Sequence, residues 1–216
     1  MDFKSDIEKI KNEARLHFKD AKPSHGWDHT ERVLHTAIHI GKIEGADLNV
    51  LELAAILHDI GRHKQDESLG ALCHAAEGGK MAKEILNKYE IESEVIENVT
   101  HCIENHRFRG ESRPESLEAK ILFDADKLDA IGAVGIGRAF LFSGEVGAKL
   151  DNDTSTDVSK TDAYGPEDTA FREFTVKLAK VKDRMLTEEG KRLAQNRHIF
   201  MEQFFERFHA EAKGET

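Results

Sequence analysis

Three prolines in 216 residues leave few forced breaks in the backbone, which argues against a chain of short, punctuated segments and suits long helices. The two cysteines, Cys73 and Cys102, are too few for a disulfide framework, so reduced thiols are expected. No run approaches the roughly 18 apolar residues of a membrane span, and the start, MDFKSDIEKIKNEARLHF, has no apolar signal core. A cytoplasmic location and no membrane partner are the expectation. Positive charge is in deficit: 31 Lys and Arg against 41 Asp and Glu give a net charge of -10. That excludes a general nucleic-acid binder, which needs basic surface to displace counterions from phosphates. A small phosphate ester stays compatible, because a metal ion can supply positive charge locally. Against these shortages stand twelve histidines, nine of them between His25 and His106, a clustering that suits metal binding or catalysis.

The composition, 39% apolar and 33% charged, is that of a globular protein long enough for one sizeable core. Apolar residues recur at spacings of three and four almost throughout, and no period-two segment stands between turn signals, so an all-α single domain over residues 1–216 is predicted. Helices are expected over Ser5–Asp20, Asp28–Glu44, Leu48–Ile60, His74–Tyr89, Ser93–Asn105, Pro114–Leu128 and Ile131–Phe142. Two more, Thr169–Met185 and Glu188–Glu211, close the chain as C-terminal helices packing on the core, the second capped by Thr187. The polar, aperiodic stretch 143–168 reads as a long loop of the lid or mobile-insertion kind.

Chemistry concentrates in three segments. In SHGWDHTERVLHTAIHIGKIEG a Ser-His-Gly-Trp turn precedes a helix on which His29 shares a face with Val33, Thr36 and Ala37, whereas His35 and His39 point elsewhere. In LELAAILHDIGRH the stripe Leu51, Ala54, His58 turns His58 inward, with Asp59 about 100° round the axis at its rim. Gly61 would let the backbone leave that helix in a left-handed conformation. Taken alone, His58 reads more readily as a hydrogen-bonded core residue than as a ligand. A buried carboxylate beside it is costly, however, unless something cationic compensates it, and a divalent metal that also receives His29 would do so. In AKILFDADKLDAIGAVGIGRAF, Asp124, Asp126 and Asp129 interrupt an apolar helix, and Asp126 lies on the inward line of Leu122, Ala119 and Ala130.

HTERV, LAAILHDIGR and DADKLDAIG together resemble the HD-domain metal-dependent phosphohydrolase superfamily. The C-terminal KDRMLTEEGKRLAQNRHIFMEQFFERFHAE is similar to a small bacterial and archaeal branch that includes nucleotide pyrophosphohydrolases. The chain departs from that branch where TAFREF stands in place of a His-Phe pair. The resemblance implies an HD-type helical bundle with its metal-binding core over residues 20–130. It carries the ligand roles onto His29, His58, Asp59 and Asp126.

Two imidazoles and two carboxylates form a donor set between an oxygen cage and a thiolate site, for which one manganese ion is the first choice, with Fe2+, Ni2+, Co2+ or Mg2+ as alternatives. The implied activity is hydrolysis of a phosphoester or phosphoanhydride by attack of a metal-activated water, the α-β anhydride of a (deoxy)nucleoside triphosphate foremost. Rival activities are a 5'-nucleotidase, a cyclic-nucleotide or dinucleotide phosphodiesterase, a two-iron oxygenase and a non-catalytic nucleotide-binding regulatory module. The partner is then a small phosphate ester, a nucleotide first of all, and a homodimer stays open.

In two-metal members of that superfamily extra histidines complete a second site, and in one-metal members comparable residues orient substrate or transfer protons. On that basis His74 and His106 are pocket candidates ahead of His101. Arg62 and Lys127 follow ligand segments and could meet phosphate oxygens or be plain surface charges, Arg62 being the better candidate. Asp124 and Asp129 could bond ligating histidines or water, and Glu77 could carry a proton. Cys73 beside His74 and Cys102 beside His101 raise a Cys/His zinc site that the missing C-x-x-C spacing disfavours.

Overall fold

The computed structural model describes residues 3–19, 26–68, 71–107, 113–153 and 155–215. Among the described residues there is no strand, so the fold is all-α as the periodicity predicts. The chain divides into two compact units, Met1–Asp126 and Lys127–Thr216.

The first unit is built from α1 (Phe3–Arg15), α2 (Trp27–Glu44), α3 (Leu48–Leu57), α4 (Arg62–Glu67), α5 (His74–Lys88), α6 (Ser93–Asn105) and most of α7 (Leu117–Leu128). Its centre is α3, which buries Val50, Leu51, Leu53, Ala54, Ala55, Ile56 and Leu57. Apart from Leu48, exposed Asn49 and half-buried Glu52 this helix is buried, and α1, α2 and α6 pack around it. Asp47 starts α3 by accepting from the Asn49 and Val50 amides at 2.8 and 3.3 Å, and Gly45, at φ 78°, ends α2 in the left-handed region.

Several boundaries differ from expectation. Past Arg15 the chain tightens into a 3-10 turn, Leu16–Phe18; the predicted helix end at Asp20 and the Ser24-His25 part of the Ser-His-Gly-Trp turn lie outside the described residues. Helix α3 stops at Leu57, and His58 to Gly61 form turns instead of a further helical turn. The short α4 then follows, which the wholly polar RHKQDE gives no apolar period to announce.

Gly61 is not left-handed. Its φ of -81° and ψ of -3° suit any residue. The glycine is required instead by close approach, because a Cβ there would stand 2.4 Å from the His74 carbonyl oxygen and 2.6 Å from the Gly78 nitrogen on α5.

The second unit holds α8 (Gly132–Glu145), α9 (Ala170–Val176) and α10 (Glu188–Ala212), with Thr187 capping α10 through the Gly190 amide at 3.0 Å. The single helix predicted over Thr169–Met185 is split. Lys177 leaves helical angles, and Leu178–Arg184 winds as a 3-10 helix that puts Leu178 and Val181 on one buried side.

Ser143 to Glu145 of the predicted loop belong to α8, and the described remainder is tied down. Buried Asp168 accepts from Arg172 Nη1 and from the Tyr164 amide, each at 2.7 Å, while Arg172 also bonds Thr161 at its hydroxyl and carbonyl oxygens. A charge pair satisfied in this way ties the end of the segment to the start of α9.

Candidate metal centre

Six side chains of the first unit meet at the ends and inner faces of its helices. His29 comes from the first turns of α2, His58 and Asp59 from the turn after α3, His74 from the first residue of α5, His106 from the residue closing α6, and Asp126 from α7. His29, His58 and Asp126 each offer an atom within 4.8 Å of the others, and so do Asp59, His74 and His106.

Asp59 joins the two triads by dividing its oxygens. Oδ2 lies 3.8 Å from Nε2 of both His29 and His58, while Oδ1 lies 3.2 Å from His74 Nε2 and 3.7 Å from His106 Nε2. His29 Nε2 is also 3.4 Å from Asp126 Oδ1. Asp126 keeps 16% of its side chain exposed, whereas the other five are buried, so the set opens to solvent on its side.

Two of the protons can be located. A helix end leaves carbonyls without intrahelical partners, and two histidines use them. His58 Nδ1 bonds Ala55 O at 2.8 Å, and His106 Nδ1 bonds Ile103 O at 2.6 Å. His74 Nδ1 bonds Gln65 Oε1 at 2.9 Å. Carbonyl oxygens only accept, so His58 and His106 carry their proton on Nδ1 and present a bare Nε2, whereas His74 stands between two acceptors, Gln65 Oε1 at its Nδ1 and Asp59 Oδ1 at 3.2 Å from its Nε2.

Burial keeps these rings neutral against the pull of Asp59: it pushes His106 down to about 3 and also lowers His58 and His74. For Asp59 burial acts upward, but the Arg62 guanidinium, bonded to it twice, outweighs it and holds the carboxyl well below its ordinary value.

Nitrogen lone pairs and ionised oxygens therefore face one another in a buried space. His74 Nε2 and His106 Nε2 are 3.2 Å apart, a contact that is a hydrogen bond only when His74 carries its proton on Nε2. What such a donor set lacks is a cation. Neutral imidazoles with their far nitrogens anchored, together with carboxylates, are the donors that divalent transition metals take, so the residues present fit a metal ion.

The remaining candidates separate. Arg62 spends Nε and Nη2 on Asp59, at 2.9 and 3.1 Å, so that it clamps a carboxylate of the cluster. Lys127 follows Asp126 on α7 and is half-buried. His101 lies apart from the cluster and accepts from the Glu115 amide at 3.1 Å, since a spacing of five sets it about 140° round α6 from His106. Asp124 is fully buried, and Asp129 bonds Arg138 at 2.7 Å within the second unit. Glu77 pairs with Lys64 and Lys80 on the surface. His35 and His39 are exposed, as their helix phase predicts. Cys102 is buried, donates to Asn98, and has its thiol pushed up to about 12 by burial, a poor thiolate ligand. Gln65 and Arg107 went unnoticed in the sequence, because no motif marks an amide whose role depends on α4 lying over the start of α5.

A family model described as the HD domain matches residues 26–131. The uncharacterized protein YpgQ of Bacillus subtilis is 33% identical over 214 residues, covering 96% of this chain and 94% of YpgQ. The crystal structure of YpgQ in complex with ADP superposes with a TM-score of 0.76 at 30% identity, over 98% of this chain and 97% of that one. An HD-superfamily hydrolase from Bacillus thuringiensis superposes equally, at a TM-score of 0.76 and 32% identity over 98% of both chains. A shorter match, 30% identity over 114 residues, covers 49% of this chain and 61% of the symmetrical bis(5'-nucleosyl)-tetraphosphatase of Halalkalibacterium halodurans. With the family match falling on the segment that carries all six clustered side chains, and relatives alike over nearly their whole length, the chain belongs to the HD-domain superfamily of hydrolases.

Proposed function

We propose that this chain is a metal-dependent phosphohydrolase that cleaves the α-β phosphoanhydride of (deoxy)nucleoside triphosphates. The observation that carries the reading is the convergence of four histidine Nε2 atoms and two carboxylates on one largely buried space. Two relatives support the substrate class. YpgQ was crystallised with ADP, a ligand that retains the α-β anhydride, and the tetraphosphatase relative bears the name of a nucleoside polyphosphate.

In this reading His29, His58, Asp59 and Asp126 hold one divalent ion, with Mn2+ preferred over Fe2+, Ni2+, Co2+ or Mg2+. Such an ion, when bound, supplies Lewis acidity toward a phosphoryl oxygen and lowers the pKa of water. Arg62 keeps Asp59 ionised and aimed. Lys127, beside Asp126, is the cation for a phosphate oxygen. His74 and His106 offer Nε2 atoms near Asp59 Oδ1, either as proton acceptors beside a single ion or as donors to a second one.

A hydrolysis screen tests the assignment. Metal-stripped protein reloaded with Mn2+ is given nucleoside mono-, di- and triphosphates, cyclic nucleotides and dinucleoside tetraphosphates, with and without oxygen. Pyrophosphate and a monophosphate from a triphosphate, formed equally without oxygen, are the expected products. Orthophosphate from a monophosphate points to the nucleotidase, oxygen-dependent turnover to the two-iron oxygenase, and metal and nucleotide binding without turnover to a regulatory module.

A further inference from the structure

His58 and His106 aim their Nε2 atoms by bonding Nδ1–H to a carbonyl three residues earlier in the same helical segment. His74 has no such carbonyl. It is the first residue of α5, and the residues before it are not helical. We propose that Gln65 is the positioning residue that replaces this missing helix carbonyl, keeping the proton of His74 on Nδ1 and its Nε2 toward Asp59, and that Arg107 locks the Gln65 amide in the orientation this requires. The role in metal binding rests on the function proposed above; the state of the His74 ring does not.

Three donors converge on Gln65 Oε1: His74 Nδ1 at 2.9 Å, the His74 amide at 3.3 Å and Arg107 Nη1 at 3.0 Å. A guanidinium and a backbone N–H can only donate, so the atom they share is the amide oxygen, and a reversed amide would set its NH2 against them. Arg107 Nη1 also comes within 3.4 Å of His74 Nδ1, but its shorter bond is to the oxygen.

The chain order gives the relay its logic. Gln65 sits on α4, directly after the Gly61 turn that carries His58 and Asp59, and Arg107 follows His106. The two segments flanking His74 in space thus deliver both a neighbour in the cluster and a part of the device that orients it.

Without Gln65, the His74 proton is drawn to Nε2, where Asp59 Oδ1 waits 3.2 Å away, and the nitrogen that would face a cation is capped. Partners that orient ligating histidines are generally worth about 10- to 100-fold in metal affinity or activity.

The test uses full-length protein with Gln65→Ala, Gln65→Glu and Arg107→Met, read by imidazole nitrogen NMR on the metal-free protein and by Mn2+ titration. The native His74 ring is expected to show a protonated Nδ1 and a bare Nε2. Gln65→Ala should shift the proton toward Nε2 and weaken Mn2+ binding about 10- to 100-fold. Gln65→Glu keeps an acceptor and should preserve both. Arg107→Met should give an intermediate mixture, and it carries the test alone if Gln65→Ala does not fold. An unchanged His74 ring in Gln65→Ala and Arg107→Met overturns the proposal, as does equal damage from Gln65→Glu and Gln65→Ala. If native protein binds no Mn2+, the metal reading fails while the ring spectra still decide the role of Gln65.

Discussion

His74 Nε2 and His106 Nε2 stand 3.2 Å apart, each on a ring anchored through its opposite nitrogen. The nitrogens and carboxylates of the cluster are thus held close together by anchors outside it, and a cation that they bind favours the native state alone. At a free ion concentration about 100 times the dissociation constant, binding stabilises by about 2.7 kcal/mol. For a chain of this size that is a rise in Tm of about 5–10 °C. Thermal scans with Mn2+ and with EDTA check it; superimposable scans would show that the donors bind no ion.

Asp59 touches both triads, so His58→Ala and Asp59→Ala should remove metal content and hydrolysis together. Asp59→Asn should be as damaging to activity, because it keeps the shape but loses the charge, and it leaves Arg62 without its carboxylate. Metal analysis beside the hydrolysis assay decides the matter, and full activity in Asp59→Ala would sink the enzymatic assignment.

The buried imidazoles make the metal-free protein sensitive to acid. His58, His74 and His106 are held below the usual histidine value, His106 at about 3, whereas each titrates near about 6.5 when unfolded. Below that pH the unfolded chain binds more protons than the native one, so stability falls with falling pH, by up to about 1.4 kcal/mol per unit for each such histidine. Asp59, displaced downward, contributes stability that is present above its unfolded value near about 3.9 and disappears only in stronger acid. Urea midpoints in the presence of EDTA should therefore decline steadily from about pH 6.5 to about pH 4. A level profile over that interval contradicts the neutral assignment.

Gly61→Ala should cost about 1–3 kcal/mol, the range for forcing extra atoms into a packed site. It should also lower activity by more than the lost fold accounts for, because the obstructing atom is the carbonyl oxygen of His74 itself. Denaturant unfolding and turnover measured on the same preparation separate the two effects. Activity falling only in proportion to folded protein would mean that the contact does not set the position of His74.

Much of this cluster was legible because its members lie on helices. The phase of α2 turns His29 inward and His35 outward, and the stripe on α3 brings His58 to the core. Asp126 also follows from its place on the inward line of α7, whereas His74 and His106 came into view only through the family resemblance. What lay beyond such patterns depended on helices meeting. Gln65 looks like one more polar residue in RHKQDE until α4 is seen against α5, and Gly61 suggests a left-handed cap until its neighbour across the contact is known. The break at Lys177 has no glycine or proline to announce it, since it is the burial of Leu178 and Val181 that rewards the tighter winding.

The approach of Gly61 to α5 has a consequence for how the cluster keeps its dimensions. A Cβ at 78 would itself lie only 3.4 Å from the His58 carbonyl, so main chain meets main chain from both directions. The gap between the turn bearing Asp59 and the helix beginning at His74 is gauged by the thickness of two bare backbones, a length that no rotamer change can alter. Whatever side chains line the cluster, this internal ruler keeps the Asp59 carboxylate and the His74 imidazole in register.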